Sequence, residues 1–159
     1  MPVLKSPVEV DAWLTDAGWY PGRRCDELAA AEIADAQEAF REDGSSLDII
    51  PPALDFLREH IGLVAPLNSS NDDKVEFFPF LTYRGAGEDI QELADALRKK
   101  VFPVAYDTYD VGTVLIDEAS RFFYQHWSGV YFLGDDKYSA LMNYSRGYPL
   151  PYADPYYVW

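Results

Sequence analysis

A chain of 159 residues with 48 % apolar side chains supplies a single core, large enough to bury about two thirds of the surface its unfolded form exposes. Its formal net charge of −14 argues against nucleic acid and anionic membranes as partners and favours a basic protein, or plain solubility. A lone cysteine, Cys25, rules out an internal disulfide, and there is no apolar leader core or bilayer-length apolar run, so the expected location is the cytoplasm.

Ser6-Pro7 opens a first helix as N-cap and first helical residue, with Val10, Trp13, Leu14 and Ala17 on one stripe and Gly18 as its stop. Residues 19–24 (WYPGRR) form a rigid turn, whose arginine pair is expected to satisfy nearby carboxylates or carbonyls. Asp26 starts a longer helix ending near Asp43-Gly44, with Ala29, Ile33, Ala36 and Phe40 buried at a spacing of about 3.6 residues. Asp35, Glu38 and Glu42 lie nearly opposite that stripe. Such a row is either a solvated face or one wall of an acidic docking surface, and periodicity does not separate the two.

A short strand or turn is expected over 47–50, then a third helix over 53–61 with Leu54, Leu57 and Ile61 inward. Residues 63–65 read as extended and 68–73 as a polar loop. Residues 75–81 read as a strand dense in Phe77, Phe78 and Phe80, with Pro79 marking an edge or a bulge. Gly85 and Gly87 turn the chain into a fourth helix, acidic at its start and basic at its end, with Ile90, Leu93, Ala94 and Leu97 as its core stripe.

A strand over 101–105 leads into three β-type runs, 112–117, 121–125 and 129–133, each bounded by Asp, Ser or Gly. Their spacing leaves room only for tight turns, so they pair as an antiparallel meander. Gly134-Asp135-Asp136 then caps a last helix carrying Tyr138, Leu141, Met142 and Ser145 on one face and stopped by Gly147. The reading is a single domain over 1–147 and an aromatic, proline-rich tail over 148–159, expected to be extended and folded back.

No catalytic set emerges. His60 and His126 lie far apart, without metal-ligand spacing, and Cys25 has arginines beside it but no base. There is no GxSxG elbow and no Walker sequence, and Gly85-Ala86-Gly87 is too short for a dinucleotide fingerprint and lacks its third glycine. Acid pairs (Asp72/Asp73, Asp107/Asp110, Asp117/Glu118, Asp135/Asp136) could serve glycoside hydrolysis only across a sugar-binding cleft; turn, cap and solvent roles account for all of them, so an enzyme is the weaker reading. Neither cofactor nor metal is expected.

Several segments in order resemble the SUKH superfamily. Residues 16–24 (DAGWYPGRR) are similar to the opening of one subgroup, and residues 53–63 (ALDFLREHIGL) to the family's helix ending. Phe102-Pro103-Val104, then 112–118, Arg121-Phe122-Phe123-Tyr124 and Leu133-Gly134 resemble its core. Two departures stand out: Ala105 follows Phe-Pro-Val in place of glycine, and Ala119-Ser120 replaces the turn glycine before Arg121.

The resemblance implies an α+β domain, with N-terminal helices packed against a mostly antiparallel sheet and a C-terminal meander closed by a helix. It also implies the role of the bacterial members, immunity proteins that bind and neutralise a cognate polymorphic toxin, often a nuclease. A basic toxin suits an acidic chain, which would act as a monomer or weak homodimer. The expected contacts are Asp107, Tyr109, Asp110, Asp135 and Asp136 around the meander, with Asp35, Glu38 and Glu42 as a second surface. A regulatory adaptor of the same fold and an acid-pair hydrolase are the alternative readings.

Overall fold

The structure, a computed structural model, describes residues 1–70 and 72–159. Its elements are α1 (Pro7–Asp16), α2 (Asp26–Glu42), α3 (Pro51–His60), β1 (Val64–Pro66), β2 (Lys74–Glu76), α4 (Ala86–Leu97), β3 (Val101–Asp107), β4 (Thr113–Asp117), β5 (Phe122–His126), β6 (Gly129–Gly134) and α5 (Lys137–Arg146). Each strand pairs antiparallel with the next, in the spatial order β1-β2-β3-β4-β5-β6. The fold is α+β, its last helix following the strands. Among the described residues no helix is long and apolar enough to cross a membrane.

Local chemistry explains the helix ends. Ser6 Oγ accepts the Glu9 amide at the start of α1, and Asp136 accepts the Ser139 amide at the start of α5. α2 buries Ala29, Ile33, Ala36 and Phe40, and α4 buries Ile90, Leu93, Ala94 and Leu97, the stripes that the sequence predicts. α3 differs from expectation. It begins at Pro51, because prolines in the first turn need no amide partner, and Ile50 is its N-cap where a strand or turn was expected. Its core side is Ala53, Phe56, Leu57 and His60, while Leu54 is only half-buried. Aromatic partners draw that face inward: Phe56 packs edge-on to Phe122 and stacks on His60.

The strand expected over 75–81 ends at Glu76. Phe77 still exchanges backbone hydrogen bonds with Gly62 and Leu63, but Pro79 has no amide to continue the ladder, and the chain leaves the sheet. The extended stretch at 63–65 supplies β1, an edge strand.

Cross-strand partners share a face, so the register divides the core in two. On one face Phe122 meets Phe56 of α3 and Tyr124 meets Tyr144 of α5, while α1 closes that layer through Trp13 and Phe77. On the other, Tyr106 meets Phe80, Gln125 bonds Tyr83, and Phe123 meets Tyr156 of the tail. The tail lies along β6: the Phe132 amide donates to the Pro151 carbonyl and the Ala153 amide to that of Val130. Leu150 and Ala153 are buried, and Asp154–Tyr156 forms a 3₁₀ turn rather than a fully extended stretch.

Candidate partner-binding site

An antiparallel meander gathers alternate connections at each end of its sheet. The pairs Pro66↔Lys74, Val75↔Asp107, Tyr106↔Thr113, Thr113↔Gln125 and His126↔Gly129 bring the β1–β2, β3–β4 and β5–β6 connections to one end. α5 runs back toward the same end, where Tyr144 faces Tyr124 and the start of the tail packs as Tyr148 against Tyr131. The opposite end carries the β4–β5 turn and Asp135-Asp136.

Three large side chains protrude at the first of these ends, from the short β3–β4 and β5–β6 connections. Tyr109 is 70 % exposed and Trp127 85 %, and Val111 between them in sequence is exposed as well. Tyr148 and Tyr152 are also exposed, the latter stacked on Tyr131. Asp72, Asp73 and Asp110 add carboxylates, and a cavity of about 340 Å³ opens between Tyr109, Asp110, Tyr124, Tyr144 and Tyr148. Trp127 escapes sequence reasoning aimed at acidic pairs. Its signal is an indole in the two-residue turn His126-Trp127-Ser128-Gly129, where no core is within reach.

The β3–β4 loop is held from below by Asp107. That residue is only 2 % exposed: one carboxylate oxygen accepts the Asp110 amide at 2.6 Å and the other accepts the Tyr124 hydroxyl. Asp107, expected at a contact surface, is thus buried beneath the loop. It positions Tyr109 and Asp110. Burial first, then Asp107, pushes the Tyr124 and Tyr144 hydroxyls well above the usual tyrosine range, so both stay protonated donors. Gly112 permits the contact, since a Cβ there would fall 2.1 Å from the Tyr124 ring. Val111 sits at φ +59°, a conformation that β-branched residues avoid, and is held there within the loop.

The expected contacts do not form one patch. β6 carries the chain about 20 Å away before Asp135 and Asp136. Both are exposed, at the opposite end from Tyr109 and Asp110, and Asp136 is engaged as the α5 cap. Asp35, Glu38 and Glu42 are exposed on α2; Asp35 lines a broad groove of about 740 Å³ with Phe80 and Tyr106, and Glu38 pairs with Arg41. Arg23 donates to the Glu59 and Ile61 carbonyls, and Arg24 pairs with Asp26, as the turn at 19–24 predicts.

His60 is fully buried between Phe56 and Trp19, with Nδ1 at 2.9 Å from the Phe56 carbonyl. Among the described residues no three side chains of metal-ligating type converge. No curated protein and no solved structure matches this chain. A family model described as SUKH-3 immunity protein, however, matches residues 6–147, which takes in every helix and strand from α1 to α5. The meander closed by a helix and the ordered motifs along it thus have a common explanation: the chain belongs to the SUKH-3 immunity protein family.

Proposed function

We propose that this chain neutralises a bacterial polymorphic toxin by binding it and covering its active surface, the toxin domain being basic and of nuclease type. The observation that carries the reading is the loop end of the sheet, where exposed Tyr109, Trp127, Tyr148 and Tyr152 stand among carboxylates on a chain of net charge −14. Tyrosine and tryptophan dominate the energetics of protein interfaces, because they bury much area at little entropic cost. A nuclease surface is basic because it holds a polyanion. An acidic protein meets such a surface quickly and displaces its substrate without chemistry of its own.

On this reading Tyr109 and Asp110 are contacts, Asp107 sets their positions, and Asp35, Glu38 and Glu42 contribute long-range attraction. Asp135 and Asp136 fall outside the interface. The protein works in the cytoplasm of the producing cell, as a monomer or weak homodimer.

The test is co-expression with the toxin reading frame adjacent to its gene, followed by growth rescue and copurification. Tyr109→Ala combined with Asp110→Ala is expected to weaken the complex by roughly tenfold or more, while Asp135→Ala leaves it unchanged. A wild-type chain that neither rescues growth nor copurifies ends the reading.

A further inference from the structure

Beside the loop end, on the α4 side of the sheet, lies a groove of about 380 Å³ whose walls include Tyr83, Asp89, Glu92, Trp127 and Tyr157, with Gln125 at its floor. Gln125 is 2 % exposed, and its Oε1 has no hydrogen-bond partner among the described residues. Its orientation follows from its neighbours. The Tyr83 hydroxyl gives its only proton to Asp89, so it can offer Gln125 nothing but a lone pair, and Gln125 Nε2 donates to it at 2.7 Å. Burial, with Asp89 assisting, pushes the Tyr83 hydroxyl up to about 12 and keeps it a donor. The amide oxygen is thereby left over. An unpaired buried acceptor is costly, and a groove that keeps one is short of a donor. His126, next in the strand, stacks on Tyr124 but also lines the groove, its Nδ1 accepting the Ser128 amide and its Nε2 without a partner among the described residues.

Three acceptors therefore surround the groove, the Gln125 amide oxygen and the carboxylates of Asp89 and Glu92. Among the described residues no lysine or arginine lines it, and the Trp127 indole stands at its mouth. We propose that this groove receives an arginine side chain of the toxin. The planar guanidinium carries several donors in a fixed fork, enough for one amide oxygen and a carboxylate together, and its face stacks on an indole. Lysine brings a compact, strongly hydrated charge that meets these demands less well. The inference rests on the immunity reading for its partner, but the groove can be tested without one.

The probe is N-acetyl-arginine-amide, titrated into the isotope-labelled full chain while the Trp127 indole and Gln125 side-chain amide resonances are followed. Saturable shifts of both are expected, with binding weakened roughly threefold or more by Trp127→Ala or by Glu92→Gln, about the size of an exposed cation–π contact. The lysine analogue and the neutral citrulline analogue are expected to bind more weakly by a similar factor. Absence of saturable shifts, or equal binding of either analogue, overturns the assignment. A toxin complex that forms normally with both Trp127→Ala and Glu92→Gln removes the groove from the interface and leaves the immunity reading standing. A wild-type chain with no affinity for the toxin ends that reading instead, whatever the probe does.

Discussion

Ser120 stands where a turn of this shape asks for glycine, with φ at +63°. The cost is offset by Asp117, whose Oδ1 accepts the amides of Ala119 and Arg121 while Oδ2 holds the Arg121 guanidinium at 2.7–2.8 Å. Ser120→Gly should therefore raise stability by about 0.5–1 kcal/mol in urea melts, with an unchanged slope; a loss of stability would mean the serine side chain is needed. Ala105, the other departure from the family pattern, follows a β-bulge in β3 and needs no left-handed backbone, so a methyl group fits there.

His60 makes a pH prediction. Burial lowers its pKa to about 4, the Lys137 and Arg23 charges acting the same way, while the Phe56 carbonyl and Glu59 oppose them. The unfolded chain binds this proton near pH 6.5 and the folded chain does not, so stability is complete above that pH and falls as the pH drops toward 4. The loss amounts to about 3 kcal/mol. His60→Phe should flatten the wild-type profile between pH 6.5 and 4, and a parallel pair of profiles would assign the acid sensitivity to other groups.

At the scale of elements, the tail folds back onto the domain, as its aromatic residues suggest, and does so along a strand edge. It satisfies the free edge of β6 through Val130 and Phe132, and seats Leu150, Ala153 and Tyr156 against the sheet. Removing residues 148–159 should cost roughly 3 kcal/mol or more and leave an open strand edge that pairs with a second molecule. Sedimentation velocity and thermal melts check this; a truncated chain that stays monomeric and melts like the full one would show the edge needs no cover. The amphipathic helices α2 and α4 and the meander were legible because each has a full apolar period and flanking turn residues. The inward face of α3 was read in part: Leu57 and Ile61 are buried as expected, but Phe56 and His60 are turned inward by aromatic partners far along the chain. Strand β2 was misread in length for a similar reason, since one proline outweighs a run of phenylalanines. The candidate site was half legible. Tyr109 and Asp110 are marked by their loop, but which end of the sheet a loop occupies follows from strand register, and that separates Asp135 and Asp136 from them.

For the whole molecule the question is how an excess of carboxylates divides between contact and field. Asp35, Glu38 and Glu42 project from α2, which packs on α3 and Phe102, whereas Tyr109 and Trp127 stand on the connections at one end of the sheet. Charges away from a contact act on encounter, and that action is screened over a Debye length of about 8 Å at physiological salt. Contact residues act on the lifetime of the complex. The two surfaces expected to meet the toxin should thus separate kinetically. Neutralising α2 with Asp35→Asn, Glu38→Gln and Glu42→Gln should slow association severalfold at low salt, leave dissociation nearly unchanged, and lose its effect at about 0.5 M salt. Tyr109→Ala should do the reverse, speeding dissociation at every ionic strength. Stopped-flow mixing with the toxin domain reads both rates. If the α2 variant instead speeds dissociation, that helix lies within the interface and the sheet end is not its centre.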